Sequence, residues 1–131
     1  MKKGKILLVP HYDTDDCPIQ WNIPGGMVEF EERIEQAAVR EILEETGFHA
    51  KIERLLDVSE VLIPEKPWHS ITITFLGSII GGNLRPEDGH HHGRKLPQWF
   101  TYKELEGLCY HPKKTIEKAF LDHYSDEKVI S

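Results

Sequence analysis

Positive charge is scarce in this chain. Sixteen lysines and arginines face 22 aspartates and glutamates over 131 residues, a formal net charge of −6. An acidic surface repels polyanions, so general nucleic-acid binding through a basic face is disfavoured. A phosphorylated ligand would need a bound cation or a local arginine or lysine cluster to meet it. Cysteine is nearly absent: Cys17 and Cys109 fit no metal-binding spacing, and free thiols are the expectation for a cytosolic protein. No apolar run approaches the roughly 20 residues that cross a bilayer, so no membrane span is expected. The stretch after Met1-Lys2-Lys3-Gly4-Lys5 is too short for a signal peptide. Internal repeats and low-complexity tracts are missing as well. These absences leave a single cytoplasmic domain over residues 1–131, able to bury about two thirds of its unfolded surface.

Ile6-Leu7-Leu8-Val9, ended by Pro10, reads as a buried strand, and His11 to Pro18 as an aspartate-rich loop. Pro24-Gly25-Gly26 is a turn. A helix is expected from about Glu31 to Thr46, stopped by Gly47. Lys51 to Ile63 and Ser70 to Ile80 read as two long strands joined around Pro64 and Pro67, with the alternation of Ser70 to Phe75 requiring one buried face. Leu84 to Lys95 is a polar loop. Gln98 to Thr101 is expected as a short strand, followed by helices near Tyr102 to Leu108 and from Lys113 to about Tyr124. This order predicts an α+β fold with a mixed sheet.

On a helical wheel of about 100° per residue, Ile34, Ala38, Val39, Ile42 and Leu43 form one apolar face. Glu41, Glu44 and Glu45 gather on an arc beside it, and Ala37, one turn before Glu41, leaves room above them. Like charges at these spacings cost a few tenths of a kcal/mol per pair when exposed. Near a packed face the cost rises unless some groups take up protons. A divalent cation removes the penalty, and clustered carboxylates suit a hard ion such as Mg²⁺, which keeps waters and bridges to phosphates. A solvated acidic face is the other reading of the wheel.

Spacing separates the two. The segment from Gly26 to Phe48 matches Gly-x5-Glu-x7-Arg-Glu-apolar-x-Glu-Glu-x-Gly-apolar at every position, and so resembles the Nudix box. With each fixed residue present at roughly one position in fifteen, a chance match is rarer than about one in a million. Ile6 to Val9, Trp21 to Gly26 and Gln98-Trp99-Phe100 resemble the flanking parts of Nudix hydrolases. The resemblance implies an α/β/α sandwich around a mixed sheet, lacking the usual first strand. It implies Mg²⁺ or Mn²⁺ as cofactor, with Glu41 and Glu45 as principal ligands, Glu44 assisting or acting through water, and the Gly25 carbonyl facing the metal. Arg40 would hold the carboxylates by ion pairing, with Glu32 anchoring Arg40. The implied reaction is cleavage of a pyrophosphate bond in a nucleotide-derived small molecule: a nucleoside triphosphate, an ADP-ribose-like sugar nucleotide or a dinucleoside polyphosphate.

Where the family often carries a further glutamate, this chain reads Glu87-Asp88-Gly89-His90-His91-His92-Gly93-Arg94. Glu87, one of the histidines, or Glu41 would then be the general base. Trp21 and Arg85 are candidates for contact with the base and phosphates of a substrate, as is Glu87. The missing first strand leaves an edge that a second copy would fill, so a homodimer is expected. The rival functions are a catalytically silent nucleotide-binding sensor and an acidic protein-interaction module.

Overall fold

The computed structural model describes residues 1, 4–11, 19–85 and 96–130, apart from the side chains of 123–130. β1 (Ile6–His11) is one of two interior strands of a four-stranded mixed sheet in the order β5-β1-β2-β6. It pairs antiparallel with β2 (Gln20–Asn22) and with β5 (Gln98–Phe100), while β2 runs parallel to β6 (Cys109–His111). Four consecutive buried residues, Ile6 to Val9, follow from that position, because a strand covered on both faces has no polar side to alternate with. The edge expected beside the first strand is therefore not there: both flanks of β1 are occupied.

β3 (Phe48–Ile63) and β4 (Trp68–Gly82) form a separate antiparallel hairpin. Among the described residues each pairs only with the other, so this hairpin has open edges, as do β5 and β6 at the ends of the other sheet. Register shifts at His49/Ala50, Ile52/Arg54 and Leu55/Asp57 break its regular alternation. Extra residues of this kind bend a strand and re-aim its side chains. Leu56 and Leu76 are buried in the core with Ile6, Leu8, Trp21 and Phe100.

α2 (Lys113–Ile130) supplies Ile116, Ala119 and Phe120 to the same core at helical i, i+3, i+4 spacing. Burying a side chain like Phe120 is worth roughly 2–3 kcal/mol. Thr115 Oγ1 donates to Asp57 Oδ2 at 2.9 Å and Arg54 reaches Asp122 at 3.3 Å, tying α2 to β3. The helix expected near Tyr102 to Leu108 is only a 3₁₀ turn, Lys103–Leu105, whose Leu105 plugs the core.

α1 (Ile34–Thr46) packs on β3. It begins three residues later than the pattern predicts, because Glu32 N–H donates to the Glu29 carbonyl at 3.0 Å and Glu31 takes a left-handed φ of 67°. Gln36 caps the start by accepting the Arg33 N–H at 2.9 Å. The expected apolar face is not the buried one: Ile34 is exposed, and the buried residues are Ala37, Glu45 and Thr46. The small side chain of Ala37 is buried. β2 and β6 were not expected at all. No described helix is long and apolar enough to cross a membrane. Cys109 is disulfide-bonded, against the expectation of a free thiol, and Cys17 lies outside the described residues.

Candidate active site

Twenty residues apart in sequence, Gly25 and Glu45 meet: the Gly25 N–H donates to Glu45 Oε2 at 2.7 Å. Glu45 is only 7% exposed, so its carboxylate depends on such donors in place of the water it has lost. The next glycine packs over a second carboxylate. A Cβ at Gly26 would overlap the Glu41 carboxyl group, so no larger residue fits without displacing Glu41.

Arg40 organises the rest. Its Nε donates to Glu32 Oε2 at 2.7 Å and its Nη2 to Glu32 Oε1 at 3.1 Å, a two-pronged grip. Nη1 donates to Glu41 Oε1 at 2.8 Å and to Glu44 at 3.2 and 3.4 Å. Nη2 also reaches the Met27 carbonyl at 3.0 Å, and Glu29 stands 3.7 Å from Nη1. The Arg40 hydrogen bond, seconded by the Glu29 N–H, holds the Glu32 carboxyl below its usual range. Glu32 and Glu41 in turn push the Arg40 guanidinium further up, so it stays charged. Four carboxylates surround one cation, and the cluster keeps an excess of negative charge.

That excess is what a hard divalent cation would neutralise, and the all-carboxylate donor set has the matching chemistry. The cradle is not ready-made. Among the described residues no three acidic, histidine or cysteine side chains converge as a metal site, because Glu41 and Glu44 are turned onto Arg40. Glu44, with 55% of its side chain exposed, is free to swing. An open hollow of about 470 Å³ between α1 and β3 is lined by Glu35, Gln36, Val39, Arg40 and Ile52. Arg40 borders it; Glu41, Glu44 and Glu45 do not line it.

The structure thus brings together Glu32, Arg40, Glu41 and Glu44, and separately Glu45 with Gly25. The Gly25 group in contact with Glu45 is its N–H. Two substrate candidates have other work. Trp21 is 6% exposed and packs edge-on to Phe100 with centroids 4.9 Å apart, so its faces serve the core. Arg85 reaches the end of α1, donating from Nη2 to the Leu43 carbonyl at 3.0 Å. Glu87, the triplet His90, His91, His92, and Arg94 lie outside the described residues. Sequence reasoning missed Glu29 and the Met27 carbonyl, both in the loop before α1. Neither carries a signal, since the Met27 contact is through backbone and Glu29 is one more acid in an acidic stretch.

Known proteins resemble this chain over most of its length. A sequence model of the NUDIX domain matches residues 1–123. An ADP-ribose pyrophosphatase of Methanocaldococcus jannaschii is 35% identical over 118 residues, covering 88% of this chain and 66% of that protein. A putative 8-oxo-dGTP diphosphatase of Bacillus subtilis is 38% identical over 91 residues, covering 70% and 56%. The chain therefore spans about two thirds or less of these relatives' length. A solved structure of a NUDIX hydrolase from Nitrosomonas europaea superposes with a TM-score of 0.73 at 27% identity, covering 89% of this chain and 80% of the other.

Proposed function

The chain belongs to the NUDIX domain family, and from that premise we propose that it is a pyrophosphohydrolase acting on a nucleoside diphosphate linked to another moiety. The observation that carries this reading is the gathering of Glu32, Glu41 and Glu44 on one arginine, beside a buried Glu45 tied to the Gly25-Gly26 loop. A solvated acidic face would have no reason to bury Glu45 or to close a glycine over Glu41.

Hydrolysis requires a water to lose a proton as it attacks phosphorus, and the bridging oxygen to leave with the electron pair of the broken bond. Glu41, Glu44 and Glu45, with the Gly25 carbonyl, would hold Mg²⁺ or Mn²⁺, which supplies charge neutralisation on the phosphates and a more acidic water. Of these three glutamates Glu44 has the most exposed side chain, and its ties to Arg40 are longer than that of Glu41, so it is our candidate to take the proton. Arg40 and Glu32 are positioning residues. They fix the rotamers of Glu41 and Glu44 through hydrogen bonds.

The names of the relatives support ADP-ribose and 8-oxo-dGTP as first substrates to try. A panel including these, a dinucleoside polyphosphate and unmodified triphosphates, assayed with and without Mg²⁺, tests the reading. Mg²⁺-dependent release of a nucleoside monophosphate from any member supports it. Binding without turnover across the panel would make the chain a nucleotide sensor, and neither binding nor turnover would leave the interaction-module reading.

The second partner is another copy of this chain. Pairing across the hairpin sets Leu55, Val58, Leu62, Ile71 and Ile73 on one face, all exposed. Together they offer on the order of 500 Å² of apolar surface, about what the apolar part of one side of a standard interface covers. The charged pair on that face, Glu60 and His69, contact one another. Sedimentation should give a dimer that Ile71→Asp splits; a monomer at high concentration rules the interface out. Cytoplasmic residence suits a nucleotide substrate, but a disulfide at Cys109 stands against it, because reducing compartments keep thiols reduced. Thiol labelling in fresh cell extract decides between them: labelled cysteines fit the cytoplasm, blocked ones do not.

A further inference from the structure

The last turn of α1 carries Glu44 and Glu45 but no basic residue. Nothing on the helix itself answers the partial negative charge of its exposed carbonyl end. The missing cation arrives from 42 positions downstream. Arg85, just past β4, donates from Nη2 to the Leu43 carbonyl at 3.0 Å, and its backbone N–H donates to the Thr46 carbonyl at 3.0 Å. Those two carbonyls belong to the residues on either side of Glu44 and Glu45. One residue therefore grips both ends of the dipeptide that presents the carboxylates.

Neighbouring contacts reinforce the grip. Asn83 N–H donates to the Gly47 carbonyl at 3.2 Å, and Gly47 N–H shares the Leu43 carbonyl at 2.9 Å. Gly47 holds a left-handed φ of 82°, and a Cβ there would overlap the Asn83 carbonyl and the Arg85 side chain. The glycine thus does two things: it ends the helix, and it lets the strand come close enough for Arg85 to reach Leu43. A lysine in the last turn would answer the dipole too. It would not lock the helix end to the sheet.

We propose that Arg85 is a positioning residue, which clamps the Leu43–Thr46 turn and thereby sets where Glu44 and Glu45 stand to receive a divalent cation. This rests on the reading that those carboxylates hold the cation. The test uses Mn²⁺ binding to the full chain without substrate, followed by electron paramagnetic resonance, so that turnover is not the readout. Arg85→Met should weaken Mn²⁺ binding roughly tenfold or more, the range typical for residues that hold metal ligands in place. Thr115→Val, which removes the distant bond to Asp57, serves as a control that lowers the melting temperature without touching α1's end. It should leave Mn²⁺ affinity unchanged.

If Arg85→Met does not fold, Arg85→Gln takes its place with the same expected loss. Parental Mn²⁺ affinity in a folded Arg85→Met or Arg85→Gln protein would overturn the proposal, whatever its melting temperature. A different result separates the two levels of argument. Should the parent bind no Mn²⁺, or Glu45→Gln bind it as tightly as the parent, the cation reading falls first and the role of Arg85 with it.

Discussion

Arg40 holds both carboxylate oxygens of Glu32, from Nε at 2.7 Å and Nη2 at 3.1 Å, across a turn eight residues long in sequence. This grip leaves Nη1 pointing at Glu41 and Glu44. A lysine keeps the charge but has one compact head, which cannot bind Glu32 by two edges and Glu41 at once. Arg40→Lys should therefore lower kcat roughly 10- to 100-fold, the worth of one or two charge-assisted hydrogen bonds. Circular dichroism should show the fold intact. Steady-state kinetics giving a parental kcat would remove Arg40 from the positioning role.

The Glu32 carboxyl titrates below its usual range, chiefly through the Arg40 hydrogen bond. A depressed folded-state value stabilises the fold above the ordinary carboxylate value near 4.5 and loses that contribution as pH falls through the folded value. In Arg40→Met the Glu32 titration should move up toward 4.5, so parent and variant should differ in stability at neutral pH and converge in acid. Carboxyl chemical shifts followed against pH check the first point, and urea melts at several pH values the second.

Glu45→Gln should lower turnover by orders of magnitude while the protein stays folded. The amide oxygen can still accept the Gly25 N–H, so the packing survives, but the charge is gone. Glu41→Gln should do the same through loss of a ligand. Removing divalent ions with a chelator should stop the parent enzyme, and excess Mg²⁺ should restore it. A Glu45→Gln or Glu41→Gln enzyme with near-normal rate at saturating Mg²⁺ would mean the ligands are misassigned.

Gly26→Ala places a methyl group where the Glu41 carboxylate lies. Displacing the carboxylate disturbs its bond to Arg40 Nη1, so activity should fall at least tenfold, roughly the loss of one charge-assisted bond. The melting temperature should shift by only a few degrees. Gly25→Ala is the matched comparison, because nothing lies within 4 Å of a Cβ there. Equal activity in the two variants would show that crowding over Glu41 is immaterial.

Much of this molecule is legible without coordinates because its signals are local. The run Ile6 to Val9, the strand around Ile71 and Ile73, and the stop at Gly47 each depend on neighbours a few positions away. The face of Ile71 and Ile73 expected to be buried is nevertheless exposed, because no element packs over it among the described residues. The box from Gly26 to Phe48 is local too, and its spacing named the residues that the fold then assembles around Arg40. β2 and β6 were not legible: each has three residues, and each exists only because a distant segment lies beside it.

Sequence alone determined the family, the long elements and the identity of the acidic cluster, since helical period and motif spacing act over a turn or two. Tertiary packing decided which side of α1 is buried, that Trp21 belongs to the core, and that Arg85 serves the helix end. Those outcomes depend on which surfaces meet after the chain closes on itself. Contacts between residues 42 or more positions apart leave no periodic trace in the order of the amino acids.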